Sequence, residues 1–318
     1  MATRKGRRRQ RDVFGNTLAE CGAKNRNIVA LNADLSGSTR TAYFAKLEAC
    51  AERFWNMGVA EANMMGVAAG LATTGKVVVA STFAVFATGR SYDQIRQSIA
   101  YPNLDVKIIA SHAGVTVGGD GASHQTTEDI GLMRMLPNMR VVVPCDGSET
   151  EAITEAILNI PGPFYMRMGR SEVPDIIEPG TPWHLGKATT VTDGDDVTII
   201  AIGIMVGEAL KAREVLAEEN ISARVINMSS IKPIDRGAIR KAAQDTGAIV
   251  TAEEHTIIGG LGSAVCEVTA EDYRVPVKRV GVRDVFGQSG EVEELMHAYG
   301  LTSDNLVKTA KDVMKHRM

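Results

Sequence analysis

Along the chain, short runs of almost unbroken apolar residues alternate with longer stretches whose apolar positions recur every three or four residues. NIVALNAD (27–34), KVVVAST (76–82), VKIIAS (106–111), MRVVVP (139–144) and GPFYMRM (162–168) belong to the first kind. Such runs predict parallel strands covered on both faces. Helices are predicted between them, over 12–24, 58–73, 90–100, 125–135 and 148–159, the last with a capping-box spacing from Ser148 to Glu151. From 172 to 195 the pattern lapses into prolines and glycines, and this segment reads as a linker. A second set follows, with strands over 197–202, 222–228, 247–254 and 275–282 and helices over 205–219, 235–245, 261–270, 290–298 and 303–316. The alternation predicts two consecutive α/β domains with mostly parallel sheets, over 12–171 and 196–318. Length agrees, since single cores seldom grow beyond about 250–300 residues.

One position breaks its own pattern. Residues 58–76, GVAEANMMGVAAGLATTGK, are mostly small and apolar, yet Glu61 stands near their start. A lone buried carboxylate costs several kcal/mol. Glu61 therefore either faces water or has a partner.

Composition narrows the classes. The 318 residues carry a net charge of −3, which argues against a general nucleic-acid or membrane-surface binder. Six basic residues (Arg4, Lys5, Arg7, Arg8, Arg9, Arg11) crowd the start, and residues 1–11 read as a solvated basic tail. No apolar segment follows as in a secretory signal, and no stretch reaches the ~18 apolar residues of a membrane span. Cys21, Cys50, Cys145 and Cys266 are scattered without a CxxC pair, so free thiols and a cytoplasmic location are expected.

Two glycine-rich stretches imitate ligand loops. GLATTGKV (70–77) ends in Val77 where a phosphate-binding loop needs a hydroxyl, and its predicted order is helix–loop–strand, the reverse of that motif. IIGGLGSAV (257–265) lacks the last small residue of a dinucleotide loop and reads as a tight strand-to-helix turn, whose helix start could still hold an anion.

The densest polar cluster is SHAGVTVGGDGASHQTTED (111–129). His112 ends a predicted strand, Asp120 lies in a glycine-rich loop, and His124 opens the next helix. Strand C-terminal ends in open α/β sheets face the ligand crevice. Asp34 and Ser38 follow the first strand, Phe83 and Phe86 the second, and Arg170 the fifth, where a fixed cation suits a phosphate or carboxylate. Each alone could be structural; together they line one sheet edge.

In order, GVAEANMMGVAAGLA, STFAVF, SHAGVTVGGDGASHQ, LPNMRVVVPCDGSET and GRSEVP resemble the pyrimidine-binding domain of transketolase. SSIKPID and AEEHTIIGGLGSAV resemble its C-terminal domain. The resemblance covers nearly everything after about residue 11. It implies that Glu61 hydrogen-bonds a pyrimidine nitrogen of thiamine diphosphate and so promotes the tautomer that takes a proton from the thiazolium ring. It implies further that Phe83 and Phe86 surround the pyrimidine, that Asp34 lies near the cofactor, that His112 and Asp120 meet the donor's hydroxyls, and that Arg11, Ser38, His124 and Arg170 hold the sugar phosphate. The reaction implied is transfer of a two-carbon ketol unit from a ketose phosphate to an aldose phosphate, as in the pentose phosphate pathway.

Three positions depart from that pattern: Ala60 and Ala62 replace the usual Arg and His beside the glutamate, and Gly89 replaces a pocket tyrosine. A larger departure concerns the metal and diphosphate. The family binds them with GDG and, further on, paired asparagines; here GDG (119–121) lies in the substrate loop and no Asn-Asn follows. The chain thus resembles the C-terminal section of a split transketolase. That implies a partner subunit supplying the ligands for Mg2+ or Ca2+, with no metal ligand on this chain, assembled as a dimer of heterodimers. A beta subunit of a 2-oxo acid dehydrogenase, a deoxyxylulose-phosphate synthase fragment and a non-catalytic relative are the alternatives; the two loop histidines and Asp120 favour the sugar-reading enzyme.

Overall fold

The computed structural model describes residues 6–317. In chain order the strands are β1 (Arg7–Arg9), β2 (Ile28–Asn32), β3 (Phe54–Asn56), β4 (Val77–Phe83), β5 (Val106–Ser111), β6 (Arg140–Val142), β7 (Phe164–Arg167), β8 (Glu172–Pro174), β9 (Thr189–Thr192), β10 (Val197–Ala201), β11 (Ala223–Asn227), β12 (Ser230–Lys232), β13 (Ile249–Thr256) and β14 (Val277–Val282). A seven-stranded sheet runs β12-β6-β7-β5-β4-β2-β3, and a five-stranded sheet runs β14-β13-β10-β11-β9. Both are parallel except for one antiparallel edge strand each, β12 beside β6 and β9 beside β11.

Alternation along the central strands explains the layers. Val78 and Ala80 of β4 face Met64 and Ala68 of the helix Glu61–Ala72, while Val79 between them faces Phe14 and Ile153 of the helices Gln10–Lys24 and Gly147–Asn159. With apolar cover on both faces, the strand has no place for a polar alternation. In the second domain, Val197 and Ile199 pack toward the helices Met205–Glu218 and Ser303–Met314. Ile200 and Ile226, on the opposite face, belong to the same apolar cluster as Val141 and Val143 of the first domain. The two domains therefore share one core across their junction. No helix of the described residues is long and apolar enough to cross a membrane.

Several local expectations change. Residues 7–9 are strand β1, paired with β8 (Arg8 opposite Val173), and the helix begins at Gln10; Arg4 and Lys5 lie outside the described residues. Period-two alternation turns Arg8 toward the fold, where it donates to Asp175 at 2.7 Å and Ser148 at 2.8 Å, while Arg7 and Arg9 stay exposed. The segment 172–195 holds β8 and β9, the latter a β-branched TTVT run that completes the second sheet. The helix expected over 58–73 starts at Glu61, and 90–100 is mostly π-helical, with turns at Phe86–Arg90 and Ile95–Ala100. The short β3 and β12 carry too little pattern to be seen in sequence, and β12 crosses from the second half of the chain into the first domain's sheet.

The capping box is displaced as well. Asp146, not Ser148, is the N-cap of Gly147–Asn159: its Oδ1 accepts from the Glu149 N–H at 2.8 Å, and its Oδ2 accepts from the N–H groups of Ile176 and Ile177, both at 2.6 Å. A carboxylate can serve the helix and the incoming chain together, which a serine hydroxyl cannot. Exposed caps are worth about 1 kcal/mol, whereas this fully buried one would leave three donors unmet. Asp146→Ala is therefore expected to lower unfolding stability by about 3 kcal/mol or more in urea titrations, while Ser148→Ala should cost about a third of that or less.

Candidate active site

The C-terminal ends of β2, β4, β5 and β7 open on one edge of the first sheet, and the side chains singled out in the sequence lie beyond them. His112 directly follows β5 with φ of 60°, a left-handed conformation seldom adopted by a residue with a side chain. That turn lays its ring on Phe83 at the end of β4, with centroids 3.8 Å apart and planes 22° from parallel. Phe86 stacks beyond Phe83 at 6.0 Å, and His124 meets Phe86 edge-on at 5.3 Å. Two phenylalanines and two histidines from three segments thus form one aromatic wall.

Arg11 Nη1 lies 3.3 Å from His112 Nε2. A guanidinium only donates, so Nε2 accepts and the ring proton sits on Nδ1, 2.9 Å from the Ser111 hydroxyl. Burial, joined by the charges of Arg11 and Arg170, lowers the His112 pKa to about 3. His112 is a neutral ring at physiological pH.

Glu61 opens its helix, where a negative charge favours the helix dipole. It is only 4% exposed, and besides the cofactor nitrogen that the resemblance implies it has a partner within the chain: Arg90, whose Nη1 lies 3.3 and 3.4 Å from the two carboxylate oxygens. The same guanidinium sits 4.2 Å over the Phe86 ring. Arg90 thus joins the carboxylate to the aromatic wall, and sequence reading missed it. Its place four residues after Phe86 gave no sign of the carboxylate, since Phe86–Arg90 is a π-helical turn.

Arg170 extends from beyond β7, donating to the Val117 carbonyl at 2.5 Å and standing 3.9 Å from the Asp120 carboxylate. Arg11 Nη1 reaches the Ser38 carbonyl at 3.2 Å. Arg11, Asp120 and Arg170 line a cleft of about 770 Å³ that also meets Gly290–Glu293 of the second domain. Asp34 is placed otherwise: its carboxylate accepts from Asn56 Nδ2 at 2.8 Å, and no contact among the described residues joins it to the aromatic wall. Among the described residues no group of three or more His, Cys, Asp or Glu is placed to hold a metal ion.

The imitation loops carry no site. GLATTGKV runs from a helix into β4, as its order predicts. At IIGGLGSAV the helix Leu261–Asp272 has its first N–H groups taken by Glu253 of the same chain, which accepts from Leu261 and Gly262 at 2.7 Å each. The acceptor at this helix start is a carboxyl group of the chain itself.

For the described chain alone, the His112 pKa has a testable consequence. The folded value lies below that of an unfolded histidine, so the unfolded state binds more protons and His112 lowers stability as pH falls from about 6.5 toward 3. His112→Asn should flatten urea-unfolding stability across that window, and NMR should show no His112 titration between pH 5 and 8.

Comparison with known proteins now adds to this geometry. Residues 8–175 match the family model of the transketolase pyrimidine binding domain, and residues 186–306 that of the transketolase C-terminal domain. A protein of Methanocaldococcus jannaschii, provisionally named a transketolase C-terminal section, is 50% identical over 308 residues, 96% of either chain. The 6-deoxy-6-sulfo-D-fructose transketolase subunit of Clostridium sp. (strain MSTE9) is 42% identical, covering 96% of this chain and 95% of that one. A solved structure described as a split gene transketolase, inactive beta4 tetramer, shares 50% identity with a TM-score of 0.91, covering 98% of this chain and all of the other.

Proposed function

The chain belongs to the transketolase family, as a split subunit carrying its pyrimidine-binding and C-terminal domains, and from that premise we propose that it is one half of a two-chain, thiamine-diphosphate-dependent ketol transferase. The observation that carries the reading is the placement of Glu61: a buried carboxylate bridged by Arg90 to the Phe83–Phe86 wall, of which His112 and His124 are part.

The residues suit the cofactor on structural grounds. Phe83 and Phe86 lie within 15° of parallel and offer flat apolar surface to a heteroaromatic ring. Glu61 needs a proton-sharing partner, and the one it has is 54% exposed and can swing away without opening the core. Glu61, Phe83 and Phe86 would hold the pyrimidine, with Asp34 at the cofactor's margin. When bound, the cofactor supplies a carbon nucleophile that accepts the two-carbon unit.

This chain's own residues do the rest. Glu61 shares a proton with the ring nitrogen. Neutral His112, held against Phe83 and by Arg11, is assigned to the donor's hydroxyls, and Asp120 accepts from one of them. Arg11, Arg170 and His124, with Ser38, bind the anionic end of the sugar. Metal and diphosphate ligands are assigned to the partner subunit, since the paired asparagines have no counterpart in this sequence. Mg2+ or Ca2+ fits that role, as does a dimer of heterodimers in a cytoplasmic enzyme. Pentose phosphates are the first substrates to test, with sulfonated and branched sugars beside them.

With the partner present, Glu61→Ala should lower ketol transfer by about two to four orders of magnitude, the scale of a positioned proton-transfer group. Release of aldose phosphate from a ketose phosphate donor is the readout. Turnover equal to that of the unaltered pair would remove Glu61 from the chemistry.

A further inference from the structure

The segment from His112 to Gly121 carries two of the proposed sugar-reading groups, yet its shape is set largely by the other domain. Ser289 Oγ donates to the Gly119 carbonyl at 2.8 Å. Gln125 Nε2 donates to the carbonyls of Val115 and Gly118 at 3.1 and 3.2 Å and to that of Gln288 at 2.9 Å. Deeper in, the Thr116 N–H donates to Glu254 Oε1 at 2.6 Å. Glu254 belongs to β13 of the C-terminal domain, is 3% exposed, and is part of the AEEH run to which no role has been given.

Three further observations concern this carboxylate. Gly114 has φ of +79°, and a Cβ there would lie 2.2 Å from Glu254 Oε1, so the chain passes flush against the acid where only glycine fits. The Glu254 backbone is itself fixed, its carbonyl accepting from Arg167 Nη2 at 2.7 Å, and Arg167 Nε is paired with Asp129 at 2.9 Å. Burial raises the Glu254 pKa above its ordinary value, and the Arg167 charge and the Thr116 N–H work against that rise. A buried carboxyl group with this set of partners is strongly held in place.

We propose that Glu254 is a positioning residue for sugar recognition: through the Thr116 N–H it fixes the register of the Gly114–Gly121 loop, and so the place of Asp120 relative to His112. It touches no substrate. This assigns to the C-terminal domain, which supplies none of the site residues, the task of holding the substrate loop. The inference rests on the ketol-transfer reading for its kinetic consequence, but not for its structural one.

Two readouts keep the two readings apart. Hydrogen exchange on the chain alone should show the Thr116 amide and the 114–121 segment losing protection in Glu254→Asp, whose carboxylate is one methylene too short, and keeping it in Glu254→Gln, whose amide oxygen still accepts. Both variants keep the backbone carbonyl of position 254 to which Arg167 donates, so the buried Arg167–Asp129 pair is untouched. In the two-chain enzyme, Glu254→Asp should raise the KM for the ketose donor roughly ten- to a hundredfold, the scale of an ångström-sized displacement. The affinity for thiamine diphosphate should stay within twofold, and Gln should restore the donor KM. A purely structural role would lower the active fraction, and so the apparent kcat, with KM unchanged. That result, or loop exchange in Glu254→Asp equal to that of the unaltered chain, would overturn the assignment. A two-chain enzyme without ketol transfer would sink the functional reading alone, and exchange would still decide the loop.

Discussion

The buried pair between Arg167 and Asp129 is the interaction on which both domains turn. Arg167 ends β7 and Asp129 begins the helix Asp129–Met135; they are 3% and 0% exposed. The Tyr165 hydroxyl donates to the same carboxylate at 2.7 Å, and Arg167 Nη2 donates to the Glu254 carbonyl of the second domain. Removing either charge would strand the other, at a cost of about 3–5 kcal/mol. A charge that expensive to isolate holds strand, helix and neighbouring domain in one arrangement, and that arrangement carries the sheet edge where the site lies.

From that frame the site inherits rigidity without inheriting polarity. The apolar strands deliver their ends, and the chemistry lies just past them in residues whose backbones bend sharply, His112 above all. Such strained positions persist only where surroundings over-determine them. Here the surroundings are Phe83 on the ring face, Arg11 and Ser111 on the ring nitrogens, and the second domain pressed against the following loop. Fixing the histidine as a neutral ring leaves the positive charge of this edge to the arginines.

Much of this was legible in the sequence. The long strands β4, β5, β10 and β13 announce themselves as apolar runs, and the cluster from His112 to His124 stands out because charged and aromatic residues are otherwise sparse there. What escaped was of two kinds. Short elements such as β3 and β12, and the strand in the basic segment, owe their form to partners distant in sequence: Arg8 reads as solvated until Asp175 and Ser148 are brought to it. Contacts across folded segments escaped as well. Glu61 visibly needed a partner, yet pairing with Arg90 depends on π-helical turns that no periodicity argument anticipates. Asp34 was selected by motif order, and its contact with Asn56 was not legible in the sequence.

The central claim is that this chain holds only the pyrimidine half of a cofactor site. Calorimetric titration of thiamine diphosphate with Mg2+ into the chain alone, the partner section alone and the equimolar mixture tests it most directly. The account predicts saturable binding of one cofactor per pair in the mixture, at least a hundredfold tighter than to either chain by itself, since each contributes contacts the other lacks. Binding to the isolated chain as tight as to the mixture would contradict it.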